Sequence, residues 1–348
     1  MSAQIKSSDD SIPQDCPYAW SQESSISLEV FLAKYNPSMV QNDGTKPWIW
    51  VRGKDSPEAE EAEMVAAINE ASSQLKEVSE RVEAIKNDAA IPMRSNKKTG
   101  AKSKKEVREQ VQAEAAEKLK EISIKHGYVW GKWLIFAPPD RVHSIWTSIA
   151  TSLVSGPLAS TSAFLTKVST SPESETSSYQ HVICLYLPDV YDKESVTKVM
   201  KVLLRNHGVN LSGVKSDLYT AIGLDSKHPS GIPSTIWRNT TLLKDVEIKE
   251  LKDAYFADLS SAKAAGAAPK TEEKEGSAEK SKRKPVLKKK AVADDPFRSD
   301  DDDDQAKEAE RKQQVKDRKA SMKPIKRAQE SDSEEDEKPK AKKRKAVR

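Results

Sequence analysis

The sequence predicts an α+β fold, a mixed or antiparallel sheet with helices on one face. Three observations lead there. Strand-like runs alternate with helix-like stripes between positions 47 and 243. The runs ending at Ser169 and starting at His181 are joined by the polar stretch STSPESETSSYQ, which holds no crossover helix of the kind a parallel pair needs. A long heptad stripe follows the first clear strand and marks an inserted helical hairpin.

In chain order, residues 1–16 are polar and expected to be flexible, ahead of a domain over 17–260. Ser27 caps a short helix with Leu28, Phe31, Leu32 and Tyr35 on one face and Pro37 beyond its end. Asp43-Gly44 is a turn signal, and Pro47-Trp48-Ile49-Trp50-Val51 reads as a strand. Ser56-Pro57-Glu58 is a helix start. Met64, Ile68, Ala71, Leu75, Val78, Val82 and Ile85 then recur at spacings of four and three. A second helix carries Val107, Val111, Ala115, Leu119 and Ile122, so residues 56–126 form a hairpin whose two seams bury each other.

Residues 132–137 are the next strand, and Asp140 opens a helix to about Ser155 with Val142, Ile145, Trp146, Ile149 and Leu153 as its apolar stripe. Ala163–Ser169 and His181–Leu187 read as paired strands. A helix with Val196, Val199, Met200 and Leu203 ends at His207-Gly208. Lys215–Ile222 and Thr235–Leu243 are read as two last strands around the turn-rich loop LDSKHPSGIPST.

Charge divides the chain. From Ser261 onward there are 27 Lys+Arg against 20 Asp+Glu, whereas residues 1–260 hold 31 against 34. The basic excess therefore belongs to the tail, and charge alone does not indicate a broadly basic nucleic-acid surface on the domain. Residues 261–348 have too few apolar side chains to bury a core and are expected to be disordered. Lys282, Arg283 and Lys284, and Lys342, Lys343, Arg344 and Lys345, are importin-type basic clusters, which predict nuclear as well as cytoplasmic residence. Ser331 and Ser333 stand among acidic residues and Ser299 precedes five aspartates, the setting an acidophilic kinase uses. Two distant cysteines, Cys16 and Cys184, predict a reducing compartment, and no apolar run approaches membrane-spanning length.

The order of motifs resembles a known arrangement. Gly131-Lys132-Trp133-Leu134-Ile135, the helix with Trp146, the strand pair, the Gly208 stop and the Ile222-Gly223 to Ser230-Gly231 loop are similar to the mRNA cap-binding translation initiation factor. The segments GKWLIF, HVICLYLPDVYD and KSDLYTAIGL more closely resemble the basophilic-leukaemia-expressed protein family. The resemblance implies a curved antiparallel sheet backed by helices over roughly 15–245. It does not carry the cap site with it. A methylated guanine is a flat cation held between two aromatic faces. Where the first stacking tryptophan is due, this chain has Glu58-Ala59-Glu60-Glu61, and Trp130, nearest to the second, is followed by Gly131 rather than Glu. Ser169-Thr170-Ser171-Pro172-Glu173 stands where phosphate-binding basic residues would follow the strand.

Trp133 and Trp146 occupy strand and helix positions suited to a core. Trp48 and Trp50 share one sheet face, suited to packing on the helices or to lining a groove. Trp130, before a strand, and the basic and hydroxylic loop with Lys227, His228 and Arg238 are the remaining ligand-facing candidates, against ordinary roles as packed ring and solvated turn. The five histidines have no metal-ligand spacing, and phosphate-loop glycines and a nucleophile elbow are absent. The sequence thus predicts a non-enzymatic module without cofactor or metal, binding RNA or a nucleotide. The alternative is a protein-interaction adaptor using the sheet or the hairpin, with structural tryptophans.

Overall fold

In the computed structural model, which describes residues 12, 16–57, 60–96, 98–174 and 179–266, six strands form one sheet. They are β1 (Ala19–Trp20), β2 (Trp48–Arg52), β3 (Gly131–Ala137), β4 (Leu165–Ser169), β5 (His181–Leu187) and β6 (Leu211–Ser216). Their order across the sheet is β1-β2-β4-β5-β3-β6. All pairings are antiparallel except β1 with β2, so the class is α+β with a mixed, mostly antiparallel sheet. The described helices are α1 (Leu28–Lys34), α2 (Glu61–Asn87), α3 (Lys104–Lys125), α4 (Val142–Ser155), α5 (Lys193–His207), α6 (Asp217–Ala221), α7 (Asn239–Leu242) and α8 (Asp245–Gly266).

Because strand side chains alternate, each strand feeds two layers. Ile49 and Val51, Trp133 and Ile135, Val168, Ile183 and Leu185, and Val214 meet Phe31 and Leu32 of α1, Trp146, Ile149 and Leu153 of α4, and Val199, Met200 and Leu203 of α5. Trp133 and Trp146 are wholly buried in this layer. Gly208 ends α5 in the left-handed region at φ 59°, and a Cβ there would lie 2.2 Å from the Tyr255 ring of α8. The glycine thus both stops one helix and lets another pack on it.

The hairpin forms as its seam demands. Ala71, Leu75, Val78, Val82 and Ile85 of α2 bury against Val111, Ala115, Leu119 and Ile122 of α3. Ser103 and Glu106 make a full capping box at the start of α3. At the open end, His126 Nδ1 lies 2.7 Å from Glu63 and Nε2 2.9 Å from Glu70, which clamps the end of α3 to the start of α2. The same seam docks on Tyr128, Leu218, Tyr219, Leu224 and Ile232, so the hairpin's apolar face is taken up within the chain.

Several boundaries differ from the sequence reading. The long helix begins at Glu61 rather than Ser56, with Glu60 as an N-cap lacking a side-chain bond. The helix read from Asp140 begins at Val142. The run Lys215–Ile222 is not a strand: β6 ends at Ser216, whose hydroxyl accepts from Leu218 N–H and starts the one-turn helix α6. Nor is Thr235–Leu243 a strand, since it holds one bridge, Val214 to Trp237, and then α7. The helix α8 was not foreseen, and it runs past the boundary at 260. The basic clusters and the serines at 299, 331 and 333 lie outside the described residues.

Candidate functional site

The sheet face turned away from α4 and α5 carries the chemistry. The registers place Trp50, Lys167, Cys184, Leu134 and Gly213 in one row across β2, β4, β5, β3 and β6. The neighbouring row is Arg52, Leu165, Tyr186, Lys132 and Lys215. Two adjacent rows thus bring four basic side chains and two aromatic rings to one face.

Lys167 is the centre of this arrangement. Its Nζ lies 4.1 Å from the centroid of the Trp48 ring, 4.7 Å from that of Trp50 and 5.7 Å from that of Tyr186. Such contacts are worth about 0.5–2 kcal/mol each, more where water is excluded. Lys132 lies 5.2 Å from the Tyr186 ring and makes an ion pair at 3.1 Å with Asp217. Both members of that pair are almost completely buried, at 5% and 1% side-chain exposure. Trp48 and Trp50 therefore do not pack on the helices. They stack around a lysine of the chain itself, in the position an aromatic box would give to a ligand's cation. Lys167 and Lys132 escaped the sequence reading, although a lysine inside an apolar strand, as in LTKVS and GKWLIFA, is the signal that could have found them.

The other predicted positions do not join this face. Trp130 is half-buried, its ring 4.5 Å from that of Tyr128, and it packs with the hairpin cluster. Lys227 and Arg238 are exposed. His228 Nδ1 contacts Ser230 Oγ at 2.9 Å, and Ser230 O accepts from Gln112 of α3 at 2.9 Å, so the loop is tied to the hairpin. Trp237 bridges to β6, which puts Arg238 beside the far edge of the sheet, four strand spacings or roughly 19 Å from β2.

A hollow of about 610 Å³ lies over α4 and the end of α5, lined by His143, Thr147, Ser148, Ser152 and His207 among others. His207 is engaged on both sides, 2.9 Å from Ser148 Oγ and 3.0 Å from Ser152 Oγ. Burial pushes its pKa down to about 4. The neutral ring is the folded form, so this contribution is complete above the unfolded value near 6.5 and is lost as pH falls towards 4. We predict that His207→Gln removes about 2–3 kcal/mol of the acid destabilisation measured by urea titration between pH 6.5 and 4. His126 acts in the opposite sense: the Glu70 and Glu63 carboxylates raise its pKa, so its clamp is complete below the unfolded imidazole value while the carboxylates stay ionised, and it weakens as pH rises through the raised value. The lining of the hollow holds no Asp, Glu, Lys or Arg side chain.

Among the described residues no group of three or more His, Cys, Asp or Glu side chains is placed to hold a metal ion. No helix among them is long and apolar enough to cross a membrane.

The family model described as basophilic leukemia-expressed protein Bles03 matches residues 2–221, a span that includes all six strands, the hairpin and both rows of the site. No curated protein matches the chain.

Proposed function

The chain belongs to the basophilic leukemia-expressed protein Bles03 family, and from that premise we propose that it is a non-enzymatic binding module whose sheet face turned away from α4 and α5 takes RNA or a nucleotide. The carrying observation is the partly exposed Trp48 ring stacked with Lys167, beside the partly exposed Arg52 and Lys215. Flat bases stack on aromatic rings and phosphates seek the cations. The ligand is not a methylated cap, because Lys167 already presents a positive charge to both tryptophan rings and repels a second cation there. The tail's basic clusters fit import into the nucleus, and phosphate at Ser299, Ser331 or Ser333 would offset their charge. The adaptor reading has less support, since the hairpin's apolar seam is already covered.

Tryptophan fluorescence of the full chain, titrated with a short single-stranded RNA, tests the reading. Quenching should be saturable, with no preference for a 7-methylguanosine nucleotide over its unmethylated form. With three phosphate contacts, affinity should fall roughly 20-fold between 50 and 200 mM salt. Trp48→Ala, at a partly exposed ring, should weaken binding by about 1–3 kcal/mol, at least fivefold. Equal binding by wild type, Trp48→Ala and Arg52→Gln would place any RNA on the basic tail and return the sheet face to the adaptor reading.

A further inference from the structure

The helical hairpin carries its positive charge at one end. Between positions 89 and 105 there are six Lys and Arg and no Asp or Glu, whereas residues 1–260 without these six hold 25 basic against 34 acidic side chains. α2 itself has six glutamates against three basic residues. The basic stretch is the turn joining α2 to α3, at the opposite end of the hairpin from the His126 clamp. Asn87, just before the turn, stands roughly 36 Å along α2 from the clamped Glu63.

The turn has a fixed shape. Asn96 N–H donates to Ala101 O at 2.9 Å and Lys104 N–H to Pro92 O at 2.9 Å, so its two limbs lie side by side. Gly100 reverses the chain at φ 72°, and Asn96 Oδ1 accepts from Lys98 N–H at 2.9 Å. Arg94 is exposed on one limb, Lys98 at the bend and Lys102 on the other, with Lys105 exposed in the first turn of α3. Glu106, the first acid after the bend, is committed to its cap and accepts from Ser103 N–H at 2.8 Å. Lys105 meets Glu109 at 3.7 Å, but among the described residues no carboxylate lies at ion-pair distance from Arg94, Lys98, Lys102 or Lys104. Lys102 Nζ and Lys104 Nζ donate instead to neutral oxygens, Gln110 Oε1 and Lys86 O, both at 2.7 Å. The N-terminus of α3 adds its own partial positive charge. Positive charge is thus gathered, held in place and left without counter-charge.

Such a place attracts a chain of anions. Lysine is a compact, hydrated point charge that meets phosphate without a fixed fork geometry, and separate cations suit phosphates repeated along a strand. A protein partner would need an apolar centre to its interface, and Met93 is the one exposed large apolar side chain among the described residues of the turn. No aromatic ring occurs between positions 89 and 105, so bases have nothing there to stack on. We infer that the hairpin turn is a second contact for RNA, taking backbone phosphates without reading bases, an occupant whose identity rests on the reading of the sheet face.

Fluorescence anisotropy of a labelled single-stranded RNA of about 30 nucleotides, titrated with the full chain between 50 and 200 mM salt, tests this. The triple variant Arg94→Gln, Lys98→Gln, Lys102→Gln should bind more weakly. Its slope of log affinity against log salt should be shallower by about 2, the loss of three phosphate contacts on a single strand. Trp48→Ala should lower affinity and leave the slope as it is, because stacking releases no counterion. Circular dichroism and the urea midpoint confirm that both variants are folded. An unchanged slope in the triple variant overturns the hairpin contact. A shallower slope there, with binding unaffected by Trp48→Ala, upholds the hairpin contact and overturns the sheet-face reading instead. Polyglutamate of equal charge that binds as tightly as the RNA, and loses as much in the triple variant, overturns RNA as the occupant in favour of an acidic protein.

Discussion

Trp146→Ala should destabilise the domain by about 4 kcal/mol, because a fully buried indole leaves a cavity that the sheet and α5 cannot close. Trp146 stands on α4 among Ile149, Leu153 and the strand residues Trp133 and Ile135. Its indole N–H is buried without a hydrogen-bond partner among the described residues, as is that of Trp133. The ring therefore contributes by packing and not by polarity. Trp146→Phe keeps most of the volume and deletes the unbonded donor, so it should cost less than half as much. Urea denaturation of the three proteins checks this, and equal losses for Ala and Phe would mean that the indole N–H matters after all.

Asp217→Ala should cost about 3 kcal/mol, the lower part of the range for breaking a buried ion pair. The carboxylate is 3.1 Å from Lys132 Nζ and both groups are cut off from water, so its removal strands an ammonium in a poorly solvated place. The Tyr186 ring, 5.2 Å from the same ammonium, limits the loss. Replacing both partners, Lys132→Met with Asp217→Leu, should recover most of the stability, because two apolar side chains need no compensation. A double variant as unstable as Asp217→Ala would show that the pair holds the β3–β6 corner by geometry rather than by charge.

Much of this architecture was legible. The four-and-three spacing from Met64 to Ile85 has one economical solution, a partner stripe, and Val111, Ala115, Leu119 and Ile122 supply it. The β4–β5 connection excluded a crossover helix by its composition. Where the reading failed, local chemistry had competed with pattern. Lys215 to Ile222 alternates well enough for a strand, yet Ser216-Asp217 is a helix start, and the hydroxyl bond to Leu218 N–H settles the matter. The apolar run of α8, with Ile248, Leu251 and Tyr255 at helical spacing, was visible, yet the sequence reading assigned no element between Leu243 and Ser261.

The site was less legible than the fold. In β2 both faces are apolar, Trp48 and Trp50 on one and Ile49 and Val51 on the other, so alternation alone cannot say which pair meets the helices. That choice is made by β4, where Val168 joins the helix layer and Lys167 falls opposite Trp50. Pairing between strands more than a hundred residues apart is a tertiary fact, and the lysine's place between the rings follows from it. Trp130 shows the converse: its neighbour Tyr128 and the hairpin claim it locally.

Hydrogen–deuterium exchange of the full chain, with and without saturating single-stranded RNA, tests the central claim most directly. Protection should appear in peptides covering 48–52, 165–169 and 182–187. Protection confined to the loop at 225–238 or to residues beyond 266, with the three strands unchanged, would contradict the assignment of the ligand to this face.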